Sequence, residues 1–128
     1  MKITVQIVVD AGDGTEAVTY PGPVIERTDP TPATVGLHLA EAHQVLSAVQ
    51  QHLVDAQADE ALANGQDCPQ CGRAYRHKDS RTITVRTLFG VARLPSPRWW
   101  SCPCTPAPAA TFSPLADLLP ERSTPELR

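Results

Sequence analysis

Ile3, Val5, Ile7 and Val9 recur at every second position near the amino terminus, the period of a strand with one covered face. Asp10-Ala-Gly-Asp-Gly14 has turn chemistry, and Glu16–Tyr20 is expected to return as the second strand of a hairpin. Residues 21–34 contain Pro21, Pro23, Pro30 and Pro32, which predicts an irregular or edge segment crossing the surface.

The period then changes. Leu39, Ala42, Leu46, Val49, Leu53 and Ala56 recur at alternating steps of 3 and 4, the seam of a helix over 39–63. It is expected to begin between Thr34 and Leu39 and to end near Asn64-Gly65, with Gly65 as a left-handed terminator. His38 stands where a Ser or Thr cap is more usual. A seam of fewer than three heptads fits either packing on the local hairpin or contact with a second helix.

Past Cys71 the two-residue period returns. Ile83 and Val85 face one way and Thr82, Thr84 and Arg86 the other, Phe89-Gly90 marks a turn, and Val91–Leu94 starts a return strand that Pro95 and Pro97 are expected to interrupt. Eight of the 13 prolines fall between residues 95 and 125, so 105–128 reads as a Pro-rich tail or linker with one short apolar turn at Leu115–Leu119. The expectation is an α+β chain: hairpin plus helix over 1–66 for packing or dimerisation, a four-cysteine zinc ribbon over 67–104, and an extended tail.

Charge is segregated along this frame. Residues 1–67 hold 2 basic and 10 acidic residues, while 68–104 hold 7 basic residues against Asp79, a net +6 inside a chain of net −3. Such asymmetry speaks of fields and partners. One partner is internal, the acidic part docking on the basic part within one molecule or a dimer; the other is an anion outside. The opening residues contain no apolar leader, and no apolar run approaches the ~20 residues of a membrane span. A cytoplasmic chain that does not engage membranes is expected, with its thiols reduced.

The four cysteines form two tight pairs, Cys68-Pro-Gln-Cys71-Gly72 and Cys102-Pro-Cys104, thirty residues apart. Two thiolates from a tight turn, met by two from the far end of a hairpin, make a closed tetrahedral shell. Structural Zn2+ on Cys68, Cys71, Cys102 and Cys104 is the expectation; iron in the same cage and an unbound or redox dithiol are the alternatives. His77 has a spacing that fits neither pair. A closed shell leaves no coordination position for a catalytic water.

Arg73, Arg76, Lys78, Arg81, Arg86 and Arg98 lie between the pairs, along with Trp99. Cations bind phosphate and flat rings stack on bases, so these seven residues are the candidate nucleic-acid contacts. Adjacent Trp99 and Trp100 on a strand point to opposite faces, one toward the knuckle. The bland alternative is a coreless ribbon whose arginine stems cover apolar patches, or a protein contact. His38, His43 and His52 have no i, i+4 metal spacing, and neither a phosphate loop, a nucleophile elbow nor a clustered carboxylate set occurs. No catalytic residue is assigned.

The run Cys68-Pro-Gln-Cys-Gly72, then Asp79-Ser-Arg-Thr-Ile-Thr-Val-Arg-Thr-Leu-Phe-Gly90, Leu94-Pro-Ser-Pro-Arg98 and Cys102-Pro-Cys104, resembles the front end of bacterial insertion-sequence transposases of the IS-Kra type. Gly36-Leu-His-Leu-Ala-Glu41, Thr111-Phe-Ser-Pro-Leu-Ala-Asp-Leu-Leu-Pro-Glu-Arg122 and Thr124-Pro-Glu-Leu127 look similar too. Such transposases are metal-dependent DDE-type strand-transfer enzymes whose catalytic acids lie downstream of this region. The resemblance implies a DNA-handling, nucleoid-associated module without strand-transfer activity of its own. The alternative is an interaction module that joins a full-length transposase through helix 39–63.

Overall fold

The computed structural model describes residues 1–104 and 106–127. It is a mixed helix-and-strand chain with an amino-terminal hairpin, one long helix and a second sheet. It divides within the helix into two compact units, Met1–Ala56 and the residues from Gln57 onward; the expected boundary at 66/67 lies further on.

In the first unit, β1 (Lys2–Val9) pairs antiparallel with β2 (Val18–Glu26), setting Ile3 opposite Ile25, Ile7 opposite Tyr20 and Val9 opposite Val18. The return strand starts at Val18 rather than Glu16 and continues through Pro21 and Pro23, the edge form of the irregular or edge segment expected there. A two-stranded sheet bonds each strand on one side only, so a proline lacking its N–H is tolerated where the register shifts between Thr4 and Gln6. Gly22 sits at that shift because a Cβ there would lie 2.7 Å from the Val5 carbonyl oxygen.

Helix α1 (Leu39–Asn64) starts at a polar junction. The Glu41 carboxylate reaches back to accept the His38 backbone N–H at 2.9 Å, half of a capping box. It also accepts from the Arg27 guanidinium at 2.7 Å, and Arg27 donates to the carbonyls of Thr34 and Gly36. One arginine thus joins the end of β2, the following loop and the first helical turn. Arg27, with the His38 N–H second, holds the Glu41 carboxyl down at about 2. A second contact joins Tyr20 to His52, rings 4.5 Å apart.

These contacts place the half-buried stripe at Glu41, Val45, Ala48 and His52, not on the leucine seam. Leu39, Leu46, Val49 and Leu53 remain 43–75% exposed, so the seam does not serve as the hairpin's packing face. Gly65 does not adopt a positive φ; the helix ends through a tightened turn, the Gly65 N–H donating to the Leu62 carbonyl.

In the second unit, β3 (His77–Thr87) and β4 (Gly90–Trp100) form an antiparallel hairpin, and β5 (Thr111–Phe112) adds to β4 at Trp99 and Trp100. Strand β4 runs through Pro95 and Pro97, where an interruption was expected. Opposite β3 at these positions, β4 carries no second strand, since β5 reaches only its last two residues; the missing N–H groups cost no ladder bond.

The segment expected as an extended tail returns to the sheet. Ser113 caps α2 (Pro114–Leu118) with its hydroxyl and bonds Ser96 across 2.7 Å. Leu115 is fully buried, with Val85, Ala92 and Leu94 at 1–2% exposure completing this core. Further on, Arg122 and Thr124 bond the backbone of Arg86, covering the free edge of β3. The prolines fall between these contacts, which is why composition alone read as linker. No helix among the described residues is long and apolar enough to cross a membrane.

Candidate metal centre and cationic surface

The first cysteine pair lies on a turn built by backbone bonds. The Gly72 N–H donates to the Cys68 carbonyl at 2.9 Å, and the Cys68 N–H to the Arg73 carbonyl at 2.8 Å. The Tyr75 N–H donates to the Gln66 carbonyl, and Asp67 pairs with Ala74. Gly72 has φ 75°, the left-handed conformation that lets the chain fold back beneath the sulfurs. The second pair follows directly from the end of β4, anchored by the Trp100 N–H on the Arg76 carbonyl and the Ser101 N–H on the Ala110 carbonyl.

These anchors bring the four sulfurs together. All lie within 4.8 Å of one another, with Cys68–Cys104 at 3.7 Å and Cys71–Cys102 at 3.3 Å. Four sulfurs about 2.3 Å from a central ion form a tetrahedron with edges of about 3.8 Å, whereas a disulfide needs about 2.05 Å. No disulfide joins these cysteines, and their sulfurs stand close enough together to hold one metal ion.

Their electrostatics suit a cation. The backbone N–H groups of Cys71 and then Gln70 pull the Cys68 thiol down to about 6, favouring a thiolate. Hydrogen bonding with the Cys102 and Cys71 sulfurs pushes Cys104 up to about 12, as expected when four thiols crowd one point. A bound cation reverses that penalty. Cys68 is buried while Cys71 and Cys104 are exposed, so the centre is closed on one side and open to solvent on the other.

Tyr75 is not among the candidate residues named from the sequence. It is half-buried beside the cysteines, and burial, ahead of the nearby sulfurs of Cys68 and Cys102, raises its pKa. Its ring meets Phe112 edge-on at 4.7 Å and stacks with Trp99 at 6.5 Å. Such outer contacts orient a ligand set. A tyrosine four residues after the second cysteine was the available signal, but nothing local reveals which way its ring turns.

The candidate nucleic-acid residues separate into groups. Arg73, Arg76, Lys78, Arg81 and Arg86 are exposed, and so is Arg93. The β3–β4 register puts Arg86 and Arg93 with Thr82 and Thr84 on the face opposite buried Val85 and Leu94. Arg98 instead makes a two-bond ion pair with Asp79, its Nε donating at 2.6 Å. Trp99 is 8% exposed and enclosed by Tyr75 and Phe112, so it offers no free face to a base. The half-exposed ring of the pair is Trp100, with the Lys78 ammonium 5.0 Å and the Arg76 guanidinium 5.9 Å from its centroid. The sequence reading named Trp99 as the contact ring; the structure covers Trp99 with Phe112, arriving from β5, and leaves Trp100 half-exposed.

No family model, curated protein or solved structure matches this chain.

Proposed function

We propose that the cysteine-bearing unit is a zinc ribbon that binds DNA, and that the chain is the DNA-handling amino-terminal module of an insertion-sequence transposase of the IS-Kra type. The observation that carries this reading is the exposed cation set, Arg73, Arg76, Lys78, Arg81 and Arg86, on a backbone held at both ends by the same four sulfurs. Four thiolates in a closed tetrahedral set favour zinc over iron or a redox pair. The metal's task is architectural, and catalysis of strand transfer is not assigned to this chain. Reduced thiols and a DNA partner suit the bacterial cytoplasm, at the nucleoid. The resemblance of the cysteine pairs and Arg86-Thr-Leu-Phe-Gly90 to such transposases supports the same reading.

With about five phosphates engaged, the affinity for duplex DNA falls with salt at a log–log slope of roughly −4 to −5. Fluorescence anisotropy across a salt series measures it, and a flat response overturns the proposal. A second reading, association with a full-length transposase through α1, is favoured by the exposed seam at Leu39, Leu46, Val49 and Leu53. Under that reading DNA is retained only when the partner protein is added, and Leu46→Glu with Leu53→Glu abolishes the association.

A further inference from the structure

A cleft of about 480 Å³ opens beside the cysteine centre, with Arg73, Tyr75, Arg76, Trp100 and Pro103 among its walls. We infer that this cleft takes one unpaired nucleobase of a single-stranded nucleic acid against Trp100, with the flanking phosphate held by Arg73, Arg76 and Lys78. The inference rests on the nucleic-acid reading above and names the form of the substrate at that site.

The chemistry of the walls argues for a flat anion-bearing ligand. Trp100 supplies an aromatic surface at half exposure, and Pro103 a second rigid apolar wall. Arg76 and Lys78 are already gathered at the ring, so the positive charge a phosphate needs stands within one nucleotide of the stacking surface. The nearest carboxylate along β3, Asp79, is engaged by Arg98 and does not oppose that charge. A base in a duplex has both faces covered by its neighbours and cannot enter; an unpaired base presents a free face.

The cleft is also preorganised. The Trp100 N–H bonds the Arg76 carbonyl at 2.9 Å, and the Arg73 carbonyl accepts the Cys68 N–H. The backbone positions that carry the ring, the cations and the knuckle are therefore fixed relative to one another, so the side-chain ends are what binding must order.

The test uses the whole metal-loaded chain, a labelled single strand of about 16 nucleotides, and the same strand annealed into a duplex. Base–aromatic stacking sets the expected loss for Trp100→Ala at about 5- to 150-fold on the single strand, with less than about twofold on the duplex. Trp100→Phe retains a ring and keeps single-strand affinity within a few-fold. The chain's two tryptophans are Trp99 and Trp100, so quenching by the single strand should disappear in Trp100→Phe while buried Trp99 still emits. Arg86→Gln, away from the cleft, weakens both forms alike. Equal losses on both forms for Trp100→Ala, or no loss on the single strand, overturn the cleft assignment while the broader DNA-binding reading stands. Binding of neither form by the wild-type chain overturns both. Unchanged zinc content and circular dichroism in Trp100→Phe separate loss of contact from loss of fold.

Discussion

Leu115→Ala tests whether the carboxy-terminal segment is part of the folded unit rather than a linker. Leu115 has no solvent exposure and lies in the core with Val85, Ala92 and Leu94, presented by a five-residue helix that packs on β4. Truncation to alanine loses roughly 2 kcal/mol of transfer free energy at about 0.8 kcal/mol per buried methylene. The remaining void raises this to about 3–5 kcal/mol. A unit of this size holds about 4–11 kcal/mol in all, so the substitution removes a large share of it. At about 4–8 °C per kcal/mol for small domains, thermal unfolding followed by near-ultraviolet circular dichroism should drop by about 12 °C or more. The scan is run with zinc in excess, to keep metal loss from masking the packing term. Leu118→Ala on the same helix is the control: Leu118 is 59% exposed, and its removal should cost less than about 0.5 kcal/mol. A Leu115→Ala midpoint within about 2 °C of the parent would refute the packing argument and restore the linker reading.

Cys68→Ser should abolish stoichiometric zinc binding and collapse amide dispersion from residue 68 onward, while α1 retains its helical signal; structural zinc contributes on the order of 10–16 kcal/mol in small peptides, more than such a unit can spare. Unchanged dispersion after chelation contradicts it. The Glu41 carboxyl is held near 2, below its ordinary 4.5, so its contribution is fully present above pH 4.5 and is lost as pH falls toward 2. Carboxyl-detected NMR should show Glu41 titrating with a midpoint near 2, and Arg27→Ala should return its midpoint toward 4.5. Gly22→Ala forces a Cβ to 2.7 Å from the Val5 carbonyl oxygen and should destabilise the hairpin by about 1–3 kcal/mol, read from faster amide exchange in β1 and β2.

The elements carried by simple periods were legible. β1 follows from Ile3, Val5, Ile7 and Val9, β3 from Ile83 and Val85, the helix from its 3-and-4 spacing, and the cysteine cluster from two tight cysteine pairs. The misreadings share a cause: the ends of β2 and β4 and the fate of 105–128 were judged from proline content. Proline forbids a ladder bond only where a neighbouring strand asks for one, and that depends on which edges are free. Of the two uses expected for the helix seam, packing on the hairpin fails for a different reason. Counting leucines selected Leu46 and Leu53, but the contacts that orient the hairpin are an ion pair at Glu41 and a ring contact at His52, polar choices that an apolar pattern does not register. At the site, the four cysteines were visible in the chain, while the packing of Tyr75 and the exchange of Trp99 for Trp100 depended on Phe112 arriving from a distant strand.

Zinc titration of the metal-free chain with labelled DNA present asks whether a metal-held backbone carries the proposed DNA-binding cation surface. DNA affinity should rise in step with zinc and saturate at one equivalent per chain, with Cys68→Ser showing no rise. Affinity that is already complete in the metal-free chain, or that stays absent at saturating zinc, would contradict the account.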